Sequence, residues 1–398
     1  MRQALLLVLA GVAACHTATP LPVSAGLAHA SPATLGFDSL RLAASVTYLR
    51  AEVDSGAFPG AVLAVGRHGR LALVDAVGHY GVDDARPVDV ATLYDLASVT
   101  KVVTVTTICM ELVDEGKLGL DDPVERYLPQ FRGAHKDAVT IRDLLTHTSG
   151  LPAWRPLYRE VRSRRAALAL VDTTPLENPP GAKYVYSDLG AIVLMQVVER
   201  LTGARIDSAA AVRVFEPLGM AVTRFRPPAS WRPHIAPTEL DTTFRRHLLV
   251  GEVHDANAGL MDGISGHAGL FSNALDLSRF AAMLLAGGIL EGKRLIRTET
   301  VAEFTRRQDT PPGSSRALGW DTPDEPRTAA SSAGLLLSAR SFGHTGFTGT
   351  SLWMDLDRDL FIILLTNRVN ARPVTTAIRQ VRSKVADLVM DALTDPNR

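Results

Sequence analysis

The 398-residue chain carries 42 basic and 42 acidic side chains, with 46% hydrophobic and 21% charged residues. That length can bury a large core in one or two domains. The balanced charge excludes the basic surface a nucleic-acid binder needs, which leaves small molecules or cell-wall material as targets.

The chain opens with Met1-Arg2-Gln3 and an apolar or small-residue run from Ala4 to Ala14. A short charged start followed by an apolar stretch too short to span a bilayer is the pattern of an export signal. Val12-Ala13-Ala14-Cys15 resembles a bacterial lipobox. The expectation is therefore a signal peptide over 1–15, a membrane anchor through lipid on Cys15, and an Ala/Pro/Thr/Ser-rich tether over 16–35. Ordinary cleavage after Ala28-His29-Ala30 is the alternative, but that site lies far from the apolar run. Cys109 is the only other cysteine, so no disulfide framework is expected despite export.

Asp38 is placed to cap a helix with Leu40, Leu42, Val46, Leu49 and Val53 mostly on one face, ending at Gly56. A hairpin follows, with Ala61 to Val65 and Leu71 to Val77 joined through His68 and Gly69. Then comes Leu-Tyr-Asp-Leu-Ala-Ser-Val-Thr-Lys over 93–101, leading into a long apolar, helix-compatible run. Three-residue spacing at a helix start puts Ser98 and Lys101 on one face, a nucleophile beside a base. The helix N-terminus also favours the negative charge that develops in acyl transfer. By itself Ser-x-x-Lys is a weak signal.

Further along, His147 and Ser149 sit in Leu-Thr-His-Thr-Ser-Gly-Leu-Pro, read as a capped, hydrogen-bonded turn. Tyr186 lies on a loop just before an apolar helix, where a tyrosine can point into a cleft or be half-buried and satisfied. The Pro-rich stretches 225–240 and 309–316 are irregular loops suited to shaping substrate access. His254, Asp255 and His267 match no zinc spacing and are read as a structural network, with no metal and no cofactor expected. The chain closes with strands over 343–354 and 360–367 and a final helix. The glycines at 343, 346 and 349 suit a strand edge that a substrate backbone approaches closely. Strands at both ends with helices between predict one α/β domain over 36–398. Its antiparallel sheet comes from about 58–80 and 340–368, with a mainly helical insertion at about 105–335.

Three separated pieces, Ser98-Val99-Thr100-Lys101, Tyr186-Ser187-Asp188 and His344-Thr345-Gly346, resemble the serine β-lactamase and penicillin-binding-protein superfamily, most closely its class C β-lactamase, DD-peptidase and esterase branch. The resemblance implies Ser98 as the acylated nucleophile, with Lys101 and Tyr186 sharing the base and acid roles. The backbone N–H groups of Ser98 and Phe347 would form the oxyanion hole. Asp188, His344, Thr345 and Gly346 would line the substrate site. The Lys101 cation is expected to draw Tyr186 towards phenolate. Two departures stand out. Asp188 replaces a frequent asparagine, and His344 replaces the lysine of Lys-Thr-Gly; loss of that permanent cation argues against efficient β-lactamase or DD-carboxypeptidase activity and towards ester or amide substrates without the carboxylate. The His-Asp and Gly-His-Ala-Gly segments also look like a subgroup that works on cell-wall fragments. The reading is an exported, lipid-anchored or periplasmic serine hydrolase of peptidoglycan-derived fragments or small esters. The alternatives are a β-lactamase or DD-carboxypeptidase, and a non-catalytic penicillin-binding sensor.

Overall fold

The computed structural model describes residues 20–328 and 331–394. The signal peptide and Cys15 lie outside the described residues. Six strands form one antiparallel sheet: β1 (Gly60–Arg67), β2 (Arg70–Gly81), β3 (Asp84–Pro87), β4 (Ser341–Thr345), β5 (Ser351–Asp355) and β6 (Leu360–Thr366). Their order is β3-β2-β1-β6-β5-β4, so the two ends of the chain meet where β1 pairs with β6 in the centre. Both central strands are buried along their whole length. Alternation explains why they are apolar throughout. Leu63, Val65, Ile362 and Leu364 face one core, together with α1 (Ser39–Asp54) and the last helix. Val62, Ala64, Ile363 and Leu365 face the other, under the helical region.

The long middle of the chain packs on that second face. It is mainly helical, as expected, but also holds a small sheet in which Leu270–Ser272 pairs with both Tyr94–Asp95 and Arg224–Phe225. The helices that matter for the site are α2 (Asp188–Thr202), α3 (Ala274–Leu285) and α4 (Ile378–Asp391). Asp38 caps α1 by accepting from the N–H groups of Leu40 and Arg41. Cys109 is a buried free thiol whose pKa burial pushes up to about 12, so it is core and nothing more.

The tether expectation fails from Ser24 onward. The Ser24 hydroxyl donates to Asp276, the Gly26 carbonyl accepts from Arg279, Leu27 is buried, and His29 bridges to Leu71. The Ala/Pro/Thr/Ser composition concealed a few residues that dock, and each docks on a partner more than forty positions away. Among the described residues no helix is long and apolar enough to cross a membrane.

Candidate active site

Ser98 sits at the mouth of a helical run made of a first turn, Val99–Lys101, a π turn, Val102–Thr106, and the helix Thr107–Asp114. A serine before a helix usually spends its hydroxyl capping the first turn. Here it makes no capping bond. Instead Lys101 Nζ lies 3.0 Å from Ser98 Oγ. The residue before it, Ala97, has φ +46°, a strained left-handed backbone for a residue with a side chain. That turn is held from three sides. Asp95 accepts from the N–H groups of Ala97 at 2.8 Å and His254 at 2.6 Å. The Thr348 and Thr350 hydroxyls donate to the carbonyls of Asp95 and Leu96. Leu96 N–H donates to Leu270.

Close contacts also reassign the glycines on either side of His344. A Cβ on Gly346 would lie 2.4 Å from the Leu96 carbonyl, and one on Gly343 would lie 2.4 Å from the Leu352 carbonyl. Gly349, at φ +115°, would meet the Thr366 hydroxyl. The close approach is therefore made by the protein's own backbone and side chains, which lock the Ser98 turn against the sheet, and need not involve a substrate.

Lys101 is buried and fully engaged. Its ammonium donates to Asp188 Oδ1 at 2.7 Å and to the His267 carbonyl at 3.1 Å. Burial works against its charge, but the Asp188 carboxylate and Tyr186 outweigh burial and raise its pKa, so it rests as a cation. Its ammonium lies 4.9 Å from the centre of the Tyr186 ring. The Tyr186 hydroxyl is buried without a hydrogen-bond partner, yet close enough to Lys101 and Ser98 for both to act on its acidity. The expected shift towards phenolate does not occur at rest. Burial raises the phenol's pKa, Lys101 lowers it, and Asp188 pushes it up again, with a net rise. Burial is the largest cause, and Asp188 at the asparagine position adds to it by opposing the Lys101 cation.

Tyr186 is positioned by His147. Their ring centres are 4.6 Å apart, and His147 Nδ1 accepts from the Ser187 N–H at 3.1 Å. His147 itself has φ +59° in the expected turn, and burial holds its pKa well below 6.5. Ser187 then caps α2 by accepting from Gly190.

The other strand edge presents His344. It is buried, its Nδ1 is 2.8 Å from the Thr345 carbonyl, and its Nε2 has no partner. Burial first, then the nearby Arg316 and Lys101 cations, hold its pKa well below 6.5, so it is neutral over the whole working range. Sequence reasoning missed Arg316. This buried guanidinium lines the cavity, pairs with Asp321 at 2.5 Å, receives the Tyr184 hydroxyl at 2.6 Å as an acceptor, and lies over the Tyr186 ring at 5.2 Å. An arginine in an irregular loop carries no periodic signal that could have found it. The backbone N–H groups of Ser98 and Phe347 donate to no acceptor among the described residues.

The His-Asp and Gly-His-Ala-Gly segments form the opposite wall. His267 Nε2 is 2.8 Å from Asp255 and its Nδ1 is 2.8 Å from Ser265. His254 pairs with Glu239 at 2.7 Å and stacks on Phe347. Asp188, Asp255 and His267 each offer a ligand atom within 4.8 Å of the others. A divalent ion there would have to displace the Lys101 ammonium from Asp188 and the His267 ring from Asp255. The donor set fits the hydrogen-bonded network better than a metal. Ser98, Tyr186, Asp188, His254, Asp255, His267, Arg316 and His344 line one cavity of about 960 Å³, together with Trp154, Tyr158 and Phe347. The loop over 309–316 contributes Arg316 to it and the stretch 225–240 contributes Glu239.

Comparison with known proteins places this geometry. A model of the family described as Beta-lactamase matches residues 46–386. A "Putative D-alanyl-D-alanine carboxypeptidase" from Salmonella schwarzengrund is 34% identical over 376 residues, covering 86% of each chain, and the protein of that name from Salmonella typhi is 33% identical over the same span. Among solved structures, EstCE1, a hydrolase with promiscuous acyltransferase activity, superposes with a TM-score of 0.71 at 24% identity over 88% of this chain and 98% of its own. A penicillin-binding-protein homologue from Caulobacter crescentus does so with a TM-score of 0.71 at 22% identity over 89% and 98%. The chain belongs to the Beta-lactamase family, within the serine β-lactamase and penicillin-binding-protein superfamily.

Proposed function

We propose that the protein is a serine hydrolase that cleaves amide or ester bonds through an acyl-enzyme on Ser98, acting on peptidoglycan-derived fragments or small esters. The observation that carries this reading is the 3.0 Å contact between Lys101 Nζ and Ser98 Oγ beside the unpartnered Tyr186 hydroxyl. In the resting site both Lys101 and Tyr186 hold their protons. One proton must leave the pair before either can accept the proton of Ser98. Ser98 Oγ then attacks the carbonyl carbon, and the backbone N–H groups of Ser98 and Phe347 receive the oxyanion. The proton taken from Ser98 goes to the departing amine or alcohol. Water, deprotonated by the same group, releases the acyl chain. Asp188, His344, Thr345 and Gly346 are assigned to the substrate-facing surface, with Asp188 acting through Lys101.

Export and a lipid on Cys15 belong to the same proposal, on the strength of the N-terminal pattern. DD-carboxypeptidase activity is a second reading, favoured by the name of the relatives and by the Arg316 cation beside the neutral His344. Intact-mass spectrometry of the membrane-extracted protein tests both parts. The expected results are a lipidated Cys15 as first residue and a transient Ser98 adduct with a neutral ester, a muropeptide or a penicillin. The shortest-lived adduct identifies the substrate class. An unlipidated start rejects the anchor, and no adduct with any of the three rejects the acyl-enzyme.

A further inference from the structure

Beyond His344 the cavity wall is built from Arg368, just after β6, and from Arg379 and Arg382 on α4. Among the described residues none of the three forms an ion pair with a carboxylate. Arg382 is nine-tenths buried. Its Nη2 donates to the carbonyls of Gly346 at 2.6 Å and Thr350 at 2.7 Å, and its Nε has no partner at all. Arg368 donates through Nε to the Phe347 carbonyl at 2.7 Å and lies over the Phe347 ring. Asp321, a carboxylate whose charge reaches Arg382, is paired with Arg316. Burial, then the like charges of Arg368 and Arg379, pull the pKa of Arg382 down to about 9. A buried cation beside two others, with an unmade hydrogen bond, is costly unless an anion completes it.

Resting on the Ser98 reading above, we propose that Arg368, Arg379 and Arg382 form an anion subsite of this cavity, which receives a compact substrate group with two negative charges. Either the dicarboxylate end of an acidic peptide or a phosphate has that chemistry, and guanidinium forks suit both. The subsite supplies, from the last helix, the permanent charge that His344 cannot. Substrates of this site are therefore acidic, and the absence of lysine before Thr345 does not exclude them.

The test is inhibition of p-nitrophenyl acetate hydrolysis at fixed ionic strength by glutarate, inorganic phosphate and acetate, with melting-temperature shifts measured in the same solutions. The expected result is competitive inhibition by at least one dianion, at least about tenfold stronger than by acetate. In Arg379→Gln and Arg379→Glu that inhibition weakens about tenfold or more. Arg379 is exposed, so these variants fold. Stronger inhibition by glutarate identifies an acidic peptide, and stronger inhibition by phosphate identifies a phosphorylated substrate. Equal inhibition by dianions and acetate, or inhibition unchanged in both variants, overturns the subsite. If the ester is not hydrolysed in a Ser98-dependent way, the catalytic reading fails, and the melting shifts alone decide the subsite.

Discussion

The two walls of the cavity treat charge in opposite ways. On the wall that holds Ser98 the charged and imidazole groups have partners: Lys101 pairs with Asp188 and Arg245 with Asp241, and the His267 and His254 rings are hydrogen-bonded to Asp255 and Glu239. On the wall formed by β4, the segment after β6 and α4, Arg316 is paired but Arg368, Arg379 and Arg382 are not. Paired charges in a buried site fix geometry and hold protons in place. Unpaired ones hold unspent affinity for something from outside. On the proposals made above, the first wall is arranged for chemistry and the second for binding.

That contrast breaks most completely at Ser98. Ser98→Ala removes the atom proposed to be acylated and should lower kcat by about 10³-fold or more, with the melting temperature nearly unchanged. Loss of both activity and fold would mean the hydroxyl is structural. Next comes the ion pair. Asp188→Ala leaves Lys101 buried and uncompensated and should cost about 3–5 kcal/mol in urea unfolding. Because the pair raises the lysine's pKa above 10.5, this difference is complete below pH 10.5 and shrinks as pH rises through the raised value. A cost below about 0.5 kcal/mol would show an ornamental pair. The smallest effect concerns His344. Since burial and neighbouring cations keep it neutral, the preference for an acidic over a neutral substrate should be flat between about pH 5.5 and 7.5, unlike an unperturbed histidine titrating near 6.5. A preference that grows as pH falls would show that His344 protonates.

Much of this arrangement could be read from the chain itself. The unbroken apolar run of β6 announced a strand buried on both faces, and β1 supplied its partner from the other end. The placing of Ser98 beside Lys101 was legible from spacing at a helix start, whereas Tyr186 was singled out only by the resemblance to the family. His254, Asp255 and His267 stood out by type, but their place in the wall depends on contacts such as the Lys101 bond to the His267 carbonyl, which no spacing encodes. Arg316, Arg368, Arg379 and Arg382 were illegible for the same reason. An arginine on a loop or an amphipathic helix looks like solvated surface until the fold shows that no carboxylate meets it. The tether was misjudged because composition reports average polarity and misses the few residues that dock.

The most direct measurement is the pH dependence of kcat/KM for a neutral ester in the wild type and in Asp188→Asn. Burial and the Asp188 carboxylate raise the pKa of Tyr186, and Asp188 also raises that of Lys101 against the effect of burial, so the resting site holds one proton too many. Because both groups titrate above their ordinary 10.0 and 10.5, the wild-type rate should still be climbing at pH 10.0, and the asparagine variant should move that climb down by at least about one pH unit. A wild-type profile already flat from pH 6, or a climb at the same pH in both proteins, would contradict the view that Asp188 sets the protonation of the Ser98 site.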